Sequence, residues 1–258
     1  MKIQPFLLFI LVLALTGCST TKQNDADHEV ELTVSAAASL QNALNDIKAS
    51  FEKEHPNIKI NYNFGASGSL QQQISHGAPV DLFFSAAEDK FAKLEKEGRI
   101  AEMHRVDLVG NELALIVPKN SNKIIDSFET LSNADLISIG TPESVPAGQY
   151  AKEALEYMGI WNKVEEKVVP AKDVRQVLTY VETNNVEAGI VYKTDALGSD
   201  KVSIAAIADR STHQPIVYPM GIIKDSPQLK EAKLFFDFIQ TDASKKIFQK
   251  YGFLDLGD

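Results

Sequence analysis

Three short turns rich in glycine, serine and alanine precede apolar stretches of helical spacing in this chain. They are Ser35-Ala36-Ala37-Ala38-Ser39-Leu40, Gly65-Ala66-Ser67-Gly68-Ser69 and Val145-Pro146-Ala147-Gly148. Small side chains let another molecule come close to the backbone. Ser39 stands where a helix N-cap belongs, so its hydroxyl and the next amides are expected to point out of the helix start. That end of a helix carries unpaired N–H groups and about half a positive charge, which makes a strand-to-helix turn a natural anion seat. Basic residues avoid these turns. No Lys or Arg lies between Lys59 and Lys90, between Lys123 and Lys152, or within 35–47. A site built there holds negative charge with hydroxyls, backbone amides and helix ends.

Other chemistries fit less well. The five histidines, His28, His55, His76, His104 and His213, show no pairing at metal-ligand spacing, and Cys18 is the only cysteine. They read as scattered surface side chains. Gly65-Ala66-Ser67-Gly68-Ser69 resembles the nucleophile elbow Gly-x-Ser-x-Gly but ends in Ser69. It also follows a half-buried alternating strand, and no base is visible near Ser67. A lipid-anchored serine hydrolase using Ser67 therefore stands as the alternative from another class. No Gly-x-x-x-x-Gly-Lys phosphate loop occurs.

At 258 residues the chain has room for one large domain or two ordinary lobes. Its 44% apolar and 24% charged residues are those of a soluble globular protein. A formal charge of −9 and the lack of a basic run argue against nucleic acid as a partner. Lys2 followed by the apolar run Phe6 to Leu15 reads as a signal peptide over 1–17, too short for a stable membrane anchor. Leu15-Thr16-Gly17-Cys18 resembles the lipobox of bacterial lipoproteins, in which the cysteine carries the lipid. Residues 18–28 then form a polar, lipid-anchored tether.

The elements that must carry the turns alternate between strand and helix. Val30, Leu32 and Val34 have strand period, and Leu40, Leu44, Ile47 and Phe51 have helical period to about Glu54. Ile58 to Phe64 and Val80 to Phe84 read as strands, each followed by a helix; the second helix ends at Gly98. Strands are also expected at Leu113 to Val117, Leu136 to Ile139 and Gly189 to Tyr192. Pro146 opens a helix closed by Gly159, and Asp173 caps one with the apolar face Val174, Val177, Leu178 and Val181. Val202 to Ile207 and Pro215 to Ile223 read as extended, and two helices end the chain. The pattern predicts an α/β fold with mostly parallel sheets flanked by helices. Ligands in such folds bind beyond the carboxyl ends of the strands.

Six segments taken in order are similar to the substrate-binding protein of bacterial molybdate ABC transporters. They are Thr33 to Leu40, Phe64 to Leu70, Gly77 to Phe83, Val145 to Leu155, Ala171 to Arg175 and Gly189 to Tyr192. The resemblance implies a type II periplasmic-binding-protein fold with a tetrahedral oxyanion between two lobes. The chain's path then gives lobe 1 as 29–112 plus 218–258 and lobe 2 as 113–217, with hinges near Asn111 and Tyr218. Position by position, Ser39 and Ser67 match the hydroxyl ligands, with Ser69 the alternative to Ser67. Ala147 and Val174 match backbone N–H donors, and Tyr192 matches a phenol donor. The same set would hold the metal, molybdenum or tungsten, through the oxyanion's oxygens. The resemblance also implies an extracytoplasmic monomer, anchored by Cys18, that serves a membrane permease without a cofactor. Sulfate or another tetrahedral oxyanion is the alternative ligand. A fully deprotonated dianion offers only acceptors, whereas hydrogenphosphate carries an O–H that needs an acceptor. Donor-only turns should therefore bind phosphate poorly.

Overall fold

The computed structural model describes residues 29–256. The leader 1–17, Cys18 and the tether 18–28 lie outside the described residues. Ten strands form two sheets of five. The first has the order β2-β1-β3-β10-β4 and comprises β1 (Val30–Ala37), β2 (Ile58–Gly65), β3 (Leu82–Phe84), β4 (Ile100–Gly110) and β10 (Val217–Ile223). The second has the order β7-β6-β8-β5-β9 and comprises β5 (Leu113–Pro118), β6 (Ile137–Gly140), β7 (Val168–Ala171), β8 (Ala188–Tyr192) and β9 (Val202–Ile207). Helices α1 (Gln41–Glu54), α2 (Ser67–Ser75) and α3 (Glu88–Lys96) follow strands of the first sheet. Helices α4 (Pro146–Tyr157), α5 (Trp161–Val164), α6 (Val174–Glu182) and α7 (Lys193–Leu197) belong to the second, and α8 (Leu229–Ile239) and α9 (Asp242–Lys250) return to the first.

The α/β architecture is as the periodicity indicates, but the sheets are mixed rather than mostly parallel. In each sheet two pairings are parallel and two antiparallel. The reason is the chain's path between sheets. It leaves the first sheet through β4, crosses at Asn111-Glu112, and returns after β9 into β10. Departing and returning strands run in opposite senses, so β4 pairs antiparallel with β10 and β5 with β9. Strands β4 and β7 carry no clear alternation and were not expected. Both lie at sheet edges, where β4 exposes Met103 and carries His104 and Arg105, and β7 contains Pro170.

Local sequence explains the elements around the turns. Leu44, Ile47 and Phe51 are buried on one face of α1. Phe51 meets Phe235 and Phe238 of α8 edge-on at 4.9 and 5.2 Å, so the C-terminal helices close over α1. Burying a phenylalanine of this kind contributes about 1.5–3 kcal/mol. Gly98 and Gly159 follow α3 and α4 with φ of 67° and 68°, the left-handed turn that stops a helix cheaply only at glycine. The buried face Val174, Val177, Leu178 and Val181 of α6 lies on β8, where Gly189 leaves room for it.

A Cβ at Gly189 would lie 2.7 Å from Val181 Cγ2 and 2.9 Å from Val177 Cγ1. Gly189→Ala should therefore overpack the α6–β8 seam and cost about 1–3 kcal/mol. A urea titration followed by circular dichroism checks this; an unchanged midpoint would mean that α6 does not seat on β8 this closely.

Candidate functional site

The three small-residue turns meet in one place. A cavity between the two sheets is lined by Ala37 to Ser39, Gly65 to Ser67, Ala86, Val145 to Ala147, Val174 and Tyr192. It is small, with room on the order of one water molecule. So little space argues for a small ligand and against a sugar, nucleotide or peptide. The expected residues Ser39, Ser67, Ala147, Val174 and Tyr192 all line it. Ser69 is not part of the lining and sits instead on a surface cleft with Gln72, Gln73 and His76.

Helix starts supply the backbone donors. Ser67 opens α2, Ala147 is the second residue of α4 behind Pro146, and Val174 opens α6. First-turn amides have no partner within their own helix. Among the described residues no backbone acceptor meets the Ala147 or Val174 amide. Asp173 caps α6 as its sequence position indicates, its carboxylate accepting from the Gln176 amide at 2.9 Å. Three helix N-termini thus face one cavity, each adding a partial positive charge.

Ser39 does not act as the N-cap expected of it. The chain makes a 3₁₀ turn over Ala38–Leu40 before α1, and the residue flanking α1 is Leu40, with no side-chain cap. The Ser39 hydroxyl is released from local capping and lies 2.9 Å from Tyr218 Oη. Ser67 Oγ accepts from the Ala86 amide at 2.9 Å, which leaves its proton available. Tyr192 donates to Ala86 O at a long 3.4 Å. Burial pushes the Tyr192 phenol well above the usual tyrosine range, so it stays protonated and able to donate.

Charged groups near the site were invisible in sequence. Asp195 is fully buried on α7, just beyond Tyr192. Arg175 Nε lies 3.1 Å from Asp195 Oδ1, yet its N–H is directed to Ala38 O at 3.4 Å. Neither Asp195 oxygen has a hydrogen-bond partner among the described residues. Burial pushes Asp195 up to about 6 against the pull of Arg175. Its folded pKa is raised, so its ionisation weakens the fold as pH climbs from the ordinary aspartate value of 3.8 through about 6. Neither residue lines the cavity. Arg175 and Asp195 lie on separate helices, α6 and α7, and share no periodic signal, so only the fold brings them together.

Among the described residues no carboxylate or imidazole lines the cavity, so Ser67 has no general base beside it. No cluster of three or more His, Cys, Asp or Glu suited to a metal ion occurs among them either. The walls meet across the cleft. The Gly68 amide donates to Ser144 O at 3.0 Å, from α2 of one sheet to the loop before α4 of the other. Arg175 to Ala38 and Tyr192 to Ala86 span the same gap.

The model of the bacterial extracellular solute-binding protein family matches residues 32–254. A Bacillus subtilis protein provisionally named an ABC transporter substrate-binding lipoprotein is 54% identical over 242 residues, 93% of either chain. A molybdate-binding protein of Haemophilus influenzae is 38% identical over 229 residues, covering 86% of this chain and 89% of its own. Among solved structures, the substrate-binding domain of a provisionally named molybdenum ABC transporter from Clostridium difficile matches with a TM-score of 0.68 and 40% identity. That match covers 88% of this chain and 99% of the other.

A Cβ at Gly68 would lie 2.7 Å from Ser144 O, a backbone atom with little freedom to yield. Gly68→Ala should hold the two sides apart. Small-angle X-ray scattering should show a larger radius of gyration for this variant under every buffer tried; an identical scattering curve would deny Gly68 a part in closure.

Proposed function

The chain belongs to the bacterial extracellular solute-binding protein family, and we propose that it captures molybdate, and tungstate alike, outside the cytoplasm for a membrane permease of an ABC transporter. One observation carries the reading. Hydroxyl and amide donors from both sheets, with no charged side chain, line one small cavity. The relatives named for molybdate support the choice of oxyanion. In this reading Ser39, Ser67 and Tyr192 give O–H donors, and Ala147 and Val174 give N–H donors.

The ligand's charge is met by dipoles. A tetrahedral dianion presents only acceptors, and every ligating group assigned here is a donor. Helix N-termini of α2, α4 and α6 add partial positive charge without the flexibility of a lysine. Residues 29–112 with 218–258 and residues 113–217 serve as lobes, opening about the crossings near Asn111 and Tyr218. Closure brings Tyr192 and the helix starts of the second sheet onto an ion first met by Ser39 and Ser67. The small cavity favours chemical discrimination by size and proton content, and sulfate is the competitor that tests size.

Isothermal calorimetry and thermal denaturation with molybdate, tungstate, sulfate and phosphate test the proposal. At a hundredfold excess over Kd, binding to the folded form alone stabilises by about 2.7 kcal/mol. Molybdate and tungstate should raise the melting temperature clearly, and phosphate little. Each charged-acceptor hydrogen bond is worth about 1.5–3 kcal/mol. Ser39→Ala and Tyr192→Phe should thus each weaken molybdate binding about ten- to a hundredfold, at about 1.4 kcal/mol per decade. Wild-type affinity in both variants would reject the ligand set, and equal shifts with phosphate would make the cleft a generic anion site.

The lipoprotein-named relative and the Leu15-Thr16-Gly17-Cys18 run support a lipid anchor on Cys18. Cys18→Ser should release the protein from the membrane fraction while leaving the soluble domain's molybdate affinity intact. Mass spectrometry of the native protein provides the check: an unlipidated Cys18 with its leader attached would end the proposal.

A further inference from the structure

One of the hydrogen bonds that span the cleft uses a side chain outside the ligand set. Gly68 to Ser144 joins backbone to backbone, and Tyr192 is itself an assigned ligand. Arg175 of α6 instead donates its Nε–H to Ala38 O at 3.4 Å. Ala38 lines the cavity and directly precedes Ser39; Val174 also lines it and directly precedes Arg175. Helix α6 lies against the turn Ala38–Leu40. We propose that Arg175 is a positioning residue, a latch that holds the Ser39 turn of one lobe against the α6 start of the other and so slows escape of the bound ion. This inference rests on the reading of the cavity as an oxyanion site.

Both ends of the latch are chemically suited to it. A carbonyl oxygen has two lone pairs. The Gln41 amide takes one on Ala38 O within the 3₁₀ turn, and Arg175 takes the other. The donor is charged, which strengthens its hydrogen bond to a neutral acceptor. It also has a second partner on its own side of the cleft. Asp195 Oδ1, fully buried on α7, lies 3.1 Å from Arg175 Nε. The Nε–H nevertheless points to Ala38 O, and neither Asp195 oxygen has a hydrogen-bond partner among the described residues. When the lobes part, Ala38 O leaves the reach of Arg175 while Asp195 stays beside it. The arm thus exchanges one acceptor for another on closure and keeps its counter-charge throughout.

The timing of this bond sets its effect. It needs both lobes together, so it forms after the ion has been met and does nothing for the encounter. Breaking it is part of every reopening, and the ion leaves through the reopened cleft. Loss of the latch should therefore raise the dissociation rate and leave the association rate alone. Arg175 does not line the cavity, so the effect comes from the lobes and not from a lost contact to the ion.

The test measures molybdate association and dissociation by stopped-flow protein fluorescence, and the dissociation constant by calorimetry. Arg175→Met alone would strand a buried carboxylate, so it is combined with Asp195→Leu, an apolar pair in place of an ionic one. Urea melts confirm that this double variant folds. It should release molybdate about tenfold faster than the wild type at an unchanged association rate, and so bind about tenfold more weakly. Asp195→Asn keeps the arm and weakens its other partner, so it should release no faster than the wild type. Arg175→Lys keeps a charge beside Asp195 but loses the Nε–H, and it should release faster, whether or not the double variant folds. Wild-type release from the folded double variant or from Arg175→Lys overturns the latch and leaves the oxyanion site standing. So does a loss confined to the association rate, which would make Arg175 an attractor of anions, or fast release from Asp195→Asn, which would assign the effect to the buried pair. A wild type that binds no molybdate removes the reading beneath the latch, and the latch with it.

Discussion

The polarity of hydrogen bonds around one small cavity is the constraint on which the structure depends. Ser67 Oγ has its acceptor side taken by the Ala86 amide, and Ser39 Oγ lies against Tyr218. The amides at Ala147 and Val174 are donors by construction and lack acceptors of their own. A wall built this way is incomplete without acceptors in the middle. Leaving such groups buried and unpaired is expensive, which is the physical ground for the oxyanion proposed here.

The fold exists to bring these donors together from distant parts of the chain. Strands β2, β6 and β7 end near the cavity and hand over to α2, α4 and α6, whose starts face it. Antiparallel pairs at β4–β10 and β5–β9 do a different job, carrying the chain between sheets twice, side by side. Mixed sheets are therefore the direct result of building a two-part molecule from one chain that leaves and returns. Cross-cleft contacts such as Gly68 to Ser144 work only because glycine has no Cβ to hold the backbones apart.

Charge is handled away from the cavity. Arg175 follows Val174 at the start of α6, yet it turns to Asp195 and Ala38 instead of the cavity. The pair brings a half-buried guanidinium and its counter-charge together, so it adds little net field at the site. Asp195 lacks hydrogen bonds of its own and is held up in pKa by burial, which marks it as costly to the fold. Through Arg175, which reaches both, Asp195 on α7 is linked to Ala38 just beyond β1 across the two sheets.

Much of this was legible in the residues. Helical and strand periods place α1, β1, β2 and α6 because burial on one face imposes a repeat on the sequence. Asp173 as a cap and Gly98 and Gly159 as stops are local physics, since each acts on its own backbone. The donor turns and the absence of nearby Lys and Arg follow from residue types alone, and they are what suggests an anion. Edge strands β4 and β7 escaped, because a strand with one neighbour tolerates polar residues and proline. The hydroxyl of Ser39 was misjudged: a local cap was expected, and a partner 179 residues away took it. Sequence alone determined which residues could donate, since that follows from residue type and from helix starts. Tertiary structure alone decided which partners those donors meet, because Tyr218 beside Ser39 and Ala86 beside Ser67 are brought there from afar by folding.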